Sequence, residues 1–282
     1  MRRDSPARLL LAVLPALALT FLVGLAPVRP QALAAQQGAL IRDSLTALGP
    51  RIGKIPFHPG EEMIFQVRAS WAGKGDAEMR VGQIDSIHGF PTLPLEFHLR
   101  GRASLGLVKL DEEYYSWIDT EKLFSRRFHK ITNHGRRVRE LEFFPDERLV
   151  RRIDHDTTWA LPSVLPLDDL SFVYFARTLP LEVGASYTYN RYFKDDGNPV
   201  ILEVLRKDRV QTAAGEFNTI VVNPVIPGSD LFEQGARAEI HFSDDERRLV
   251  VYMRVKYWLV PVTMELAAFT EGVPSGPAGK GL

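Results

Sequence analysis

The chain has 282 residues and not one cysteine. That absence excludes disulfides, thiolate nucleophiles, cysteine-ligated metals and a lipid-modified cysteine at a signal cleavage site, so stability must come from packing alone. The short motifs that carry common chemistry are missing too. There is no Gly-x-Ser-x-Gly and no Ser-x-x-Lys for nucleophilic catalysis. There is no Gly-rich phosphate loop of the Walker or Rossmann kind and no His-Glu-x-x-His. No cofactor is implied. Nor is there an excess of charge, since 35 Lys and Arg balance 35 Asp and Glu. A nucleic-acid binder normally shows a basic domain, so nucleic acid is not expected as a partner.

What is present begins at the N-terminus. Arg2, Arg3 and Arg8 precede a nearly wholly apolar stretch from Leu9 to Pro27, and small residues follow at Ala32, Ala34 and Ala35. A basic, then apolar, then small-residue order reads as a secretory signal peptide over 1–35, cleaved after Ala34 or Ala35. The alternative is an uncleaved anchor, because the apolar stretch could nearly span a bilayer. The expected location is therefore exported, periplasmic or outer-envelope associated. Without the signal, 31 basic and 34 acidic groups remain, a net charge of −3.

Residues 36–56 read as a leader and linker, 57–270 as one β domain and 271–282 as a Gly/Pro/Ser tail. Within the domain apolar and polar residues alternate. Met63, Phe65, Val67 and Ala69 interleave with Gln66, Arg68 and Ser70, and Leu249, Val251, Met253, Val255 and Tyr257 with Arg254 and Lys256. Asn133-His134-Gly135, Ala214-Gly215-Glu216 and Asp244-Asp245-Glu246 supply turns between such runs. Between Val81 and Ile84 the parity slips near Gly82, as a bulge requires. One segment breaks the pattern, with Leu170, Val173, Tyr174 and Arg177 at helical spacing behind Asp168 and Asp169, which can cap a helix. The expected fold is mainly β: a single antiparallel, strongly curved sheet or barrel with one short helix across an end or face.

Asp154-His155-Asp156 invites a metal reading, but in a strand His155 points away from its neighbours. The other histidines read as solvated strand or loop residues. Glu112, Asp119, Asp168 and Asp169 are the best carboxylates for a glycoside-hydrolysis pair, although Asp168 and Asp169 serve more economically as a cap. Between Arg126 and Arg152 nine basic residues meet four acids. That run could contact anionic headgroups or acidic glycans; a wet hairpin face paired with neighbouring acids is the preferred reading. If the interior is hollow, the candidate ligand-lining residues are Trp71, Tyr115, Trp117, Tyr174 and Arg177. Ordinary core packing explains the aromatics equally well.

Several segments carry a resemblance: Pro56-Phe57-His58-Pro59-Gly60-Glu61, Asp168 to Arg177, Leu181-Glu182-Val183-Gly184, Ala214-Gly215-Glu216-Phe217 and Ser243 to Arg248. In their order and spacing the chain resembles a bacterial family known as domain of unknown function 3108, over roughly 56–269. The resemblance implies an exported envelope protein rich in β structure, with no catalytic residues to carry over. Arg177 and the Asp168 pair are its matched polar residues, which a buried ion pair and a helix cap explain as well as a site does. The function expected is a non-catalytic binding or carrier module for a lipid or other amphipathic envelope ligand, with peripheral membrane contact. An assembly protein acting through protein contacts comes second, and a hydrolase of envelope glycan or lipid third.

Overall fold

A computed structural model describes residues 54–69, 73–103, 108–132, 135–227, 229, 232, 238–257 and 260–274. The expected signal peptide, most of the expected leader, Trp71 and most of the expected C-terminal tail lie outside these residues. The strands are β1 Glu62–Ala69, β2 Gly73–Val81, β3 Asp85–Ile87, β4 Phe90–Ala103, β5 Val108–Asp119, β6 Ser125–Thr132, β7 Arg137–Phe144, β8 Leu149–Arg152, β9 Thr157–Ala160, β10 Ser186–Tyr189, β11 Val200–Thr212, β12 Gly215–Val225, β13 Glu239–Ser243, β14 Val250–Tyr257 and β15 Val260–Thr270. The helix α1 is Ser171–Arg177. All strands belong to one sheet, ordered β10-β11-β12-β13-β14-β15-β1-β2-β4-β5-β6-β7-β8-β9, with β3 beside β4. Every ladder is antiparallel, and β1 sits in mid-sheet because the last strand, β15, pairs with it.

The expected alternation is seen. In β1 Met63, Phe65, Val67 and Ala69 are buried while Ile64, Gln66 and Arg68 are exposed. The parity slip near Gly82 is a break between two strands. Val81 pairs with Leu95 and Asp85 with Thr92, so the register on β4 moves by one residue across the gap.

The sheet curls around the helix. Ser171 bonds Ser125 of β6 at 2.8 Å, the Tyr174 hydroxyl donates to the Arg80 carbonyl of β2, and Phe175 meets Tyr189 of β10 edge-on with centroids 5.3 Å apart. In a flat sheet β6 and β10, ten strand intervals apart in this order, would be separated by roughly 48 Å. A seven-residue helix is only about 10 Å long. All seven of its residues are buried, so it fills the concave interior and does not lie across an outer face. A helix buried on every side belongs in a core, and its two polar residues, Ser171 and Arg177, are there bonded to Ser125 and Glu61.

The sheet is not closed into a barrel: its terminal strands β9 and β10 do not pair with each other. Between its two halves runs the segment Pro166–Asp168. Ser125 donates its N–H to the Pro166 carbonyl (2.8 Å), Leu167 donates to the Arg191 carbonyl (2.6 Å) and Phe193 donates to the Leu167 carbonyl (3.2 Å). A single parallel bridge, Leu167 with Tyr192, thus stands where a barrel would have a ladder.

Candidate functional site

Helix α1 divides the interior into two regions of opposite chemistry. Towards its C-terminus lies a polar hub. Arg177 donates to both oxygens of Glu61, Nη1 to Oε1 at 2.6 Å and Nη2 to Oε2 at 2.8 Å. Its Nε and Nη2 also donate to the carbonyls of Arg248 and Arg247, at 2.9 and 3.0 Å. Both side chains of the pair are buried, and the rings of Phe57 and Tyr174 lie 5.2 Å from the guanidinium carbon. Three of the segments that carry the family resemblance therefore meet at one arginine, and its donors are spent on fixed protein acceptors. Such a group holds the fold together and has little left for a ligand.

At the other end of α1 sits Asp168, fully buried. Its Oδ1 accepts the Leu170 and Ser171 N–H groups at 2.9 Å, and Ser116 donates to its Oδ2 at 2.5 Å. The Ser125 and Ser171 hydroxyls accept its own N–H. The expected cap is present, although it begins the turn three residues before the helix. Burial pushes the Asp168 carboxyl up to about 6, against the pull of these hydroxyl and N–H donors.

Above the first turn of α1 is an apolar pocket with about 70 Å³ of free space, room for a few water-sized groups. Leu170 and Val173 lie beneath it. Its walls are Met79 from β2, Phe97 and Leu99 from β4, Met253 and Val255 from β14, Val262 and Met264 from β15, with Phe232 alongside. The polar side chains at its margin are Glu112, Tyr114 and Asp169. Asp169 accepts from the Tyr192 hydroxyl at 2.6 Å and faces Lys130 at 3.6 Å, and Lys130 stands 4.5 Å over the Tyr114 ring. Val255 and Val262 pair with each other two residues inside the ends of their strands, so the pocket reaches the sheet end where β14 turns into β15. Three of the chain's five methionines line it, and an unbranched thioether repacks easily around an irregular guest.

The five residues singled out from sequence do not form one site. Tyr174 and Arg177 are interior. Tyr115 and Trp117 lie on the outer face of β5, ring centroids 6.4 Å apart. Tyr115 donates to Glu113 at 2.9 Å with His98 Nε2 3.1 Å from the same hydroxyl, and Trp117 donates to Asp85 at 3.2 Å. Partial burial and the bond to Glu113 raise the Tyr115 phenol to about 12. Trp71 lies outside the described residues. The methionines of the pocket were missed because alternation marks Met253 and Met264 as inward-facing, while only the tertiary fold brings them opposite Met79 and Leu99.

Other candidates take bland roles. Asp154-His155-Asp156 forms the turn between β8 and β9 and not a strand: Asp154 binds Arg152 at 2.7 Å and accepts the Glu140 N–H. His241 departs from the solvated reading, being buried against Thr219 Oγ1 at 3.3 Å, and burial lowers its pKa. In the basic run Arg127 pairs with Glu140 and Arg151 with Asp156 on hairpin faces, while Arg126 with Asp119 and Lys130 with Asp169 form pairs mostly screened from solvent. Among the described residues no group of three or more His, Asp or Glu is placed to hold a metal. No helix among them is long and apolar enough to cross a membrane.

Solved structures with similar chain paths share little sequence. A β-barrel-like protein of domain of unknown function DUF1849 from Brucella abortus is 9% identical, with 77% of this chain and 99% of that one covered, at a TM-score of 0.48. The hypothetical protein CT021 from Chlamydia trachomatis is 10% identical, with 78% and 93% covered, at a TM-score of 0.33. No curated protein matches the chain. A family model does match, over residues 64–267, which takes in all but the first and last few residues of the sheet, and its description is a protein of unknown function. The chain belongs to that family, DUF3108.

Proposed function

We propose that this is an exported envelope protein that binds an apolar or amphipathic ligand, a single acyl chain or a group of similar girth, and performs no chemistry on it. The observation that carries the reading is the methionine-rich pocket over α1, apolar inside and bordered by Glu112, Asp169 and Lys130. Ligand sites of this kind combine an apolar lining with a few polar groups that set orientation. The pocket as it stands is smaller than a lipid, so entry requires Met79, Met253 and Met264 to shift rotamers. The signal-like N-terminus supports the envelope as the place of work.

The test is native mass spectrometry of protein taken from its own envelope, followed by organic extraction. A lipid or fatty acid at one equivalent is the expected result, and Met264→Trp, which fills the pocket, should emerge without it. A clean unliganded mass, with stripped protein refusing fatty acid and phospholipid, would overturn the reading. The assembly role would then take its place, since a helix-filled interior suits a scaffold equally.

A further inference from the structure

Hairpins β14–β15, β1–β2 and β4–β5 are neighbours in the sheet and turn at the same end of it. Their registers set one transverse row of directly opposed residues. Arg254 faces Thr263, Thr263 faces Arg68, Arg68 faces Lys74, Lys74 faces Arg102 and Arg102 faces Lys109. Five of these six are cations, and all five are exposed. Like charges directly opposed across strands destabilise a sheet. The next outward-facing row towards mid-sheet is mixed, with Glu265, Gln66, Asp76, Arg100 and Asp111 in succession.

Acids reach the outer row only in part. Glu265 is 3.5 Å from Arg68 and Glu239 is 3.2 Å from Arg254, whereas among the described residues Lys74, Arg102 and Lys109 have no ion-pair partner. A row of one sign, maintained against its own repulsion at the end of a near-neutral protein, calls for an external anion. The sequence indicates which kind. In the sequence, the segments that join these strand pairs read Ser70-Trp71-Ala72, Ser104-Leu105-Gly106-Leu107 and Trp258-Leu259, with no charge in any of them. Cations followed along the chain by uncharged aromatic and aliphatic residues have the composition that suits the headgroup and interfacial levels of a bilayer. A nucleic-acid binder would normally show a basic domain, which this near-neutral chain lacks.

We infer that this cationic row docks the sheet end onto an anionic lipid surface. The inference stands on the row and does not depend on the carrier reading. If both hold, docking brings the Val255–Val262 end of the pocket to the lipid.

The full chain and an R68Q/K74Q/R102Q/K109Q variant are to be co-sedimented with phosphatidylcholine vesicles made with and without phosphatidylglycerol, at low and high salt. Expected is binding to the phosphatidylglycerol vesicles that salt reverses. Each neutralisation should weaken it about fivefold, and the four together roughly 600-fold, from the worth of one basic residue near an anionic membrane. The variant should melt no lower than the parent, since it removes repulsion. A second variant, K54Q/K122Q/K207Q/R209Q, changes net charge equally at sites outside the row and should bind like the parent. Equal binding to neutral vesicles, an unaffected row variant, or equal losses in both variants would each overturn the inference. Fatty-acid uptake into the pocket should be the same in all three proteins, so failure of docking and failure of the carrier reading are told apart.

Discussion

Arg177→Met should be among the most damaging single changes in the sheet domain. The guanidinium satisfies both oxygens of Glu61 and two backbone carbonyls in a site with almost no water. Removing it leaves a carboxylate buried without its counter-charge, which costs about 3–5 kcal/mol. Domains of this kind are stable by about 5–15 kcal/mol, so roughly a fifth or more of the total is at stake. At roughly 2–4 °C per kcal/mol for a domain of this size, the melting temperature should fall by about 6–20 °C. Glu61→Leu should cost a similar amount, because it strands the cation. The double variant E61L/R177M replaces two desolvated charges by apolar volume and should recover most of the loss. Urea unfolding of the four proteins gives the coupling energy, expected to be at least about 2 kcal/mol. Additive losses in the double variant, or a single-variant loss below about 1 kcal/mol, would refute the assignment of the hub as a desolvated pair.

Asp168 makes a pH-dependent prediction of opposite sign to most carboxylates. Its folded pKa of about 6 lies above the ordinary 3.8, so the unfolded chain ionises first and stability is lost as pH rises from about 4 to about 6. The shift corresponds to about 3 kcal/mol, and Asp168→Asn should flatten that slope when urea midpoints of both proteins are compared from pH 4 to 7. Gly75→Ala should destabilise by about 1–3 kcal/mol, because a Cβ there would run into the Arg100 carbonyl and stand 2.7 Å from the Gly101 Cα, forcing β2 from β4; thermal melting checks it. Met264→Ala should cost about 2–4 kcal/mol in urea unfolding while enlarging the pocket, so a fluorescent fatty-acid probe should bind it at least as well as the parent.

Much of the sheet was legible in the sequence because a two-residue period fixes which side chains face the core. The β1 pattern from Met63 to Ala69 needs no tertiary information, and the same holds for the turn at Ala214-Gly215. The placement of α1 was not legible. Its burial all round follows from the curl of the sheet, which depends on twist summed over many strands and on no local signal. The break at 82–84 appeared in the sequence as a parity slip, but a bulge and a strand break leave the same trace there. For the candidate pocket, alternation indicated that Met79, Met253 and Met264 point inwards; that they meet depends on β15 pairing with β1. Residue type alone groups Tyr115 and Trp117 with the interior aromatics, whereas strand parity sets them outward, since their neighbours Tyr114 and Ser116 take the inward positions.

The pairing of β15 with β1 also bears on how the chain can be made. Glu62 lies opposite Thr270, so a central ladder joins the first strand to the last. Until synthesis or translocation delivers the final strand, β1 has a bare edge of unpaired N–H and C=O groups beside the apolar residues meant for the core. Pairings this distant in sequence are slow to form, and intermediates with open edges associate with one another. A chain truncated before Val260 should therefore accumulate as aggregate and not as a smaller folded protein. The full chain therefore stays open to association until its last eleven-residue strand arrives.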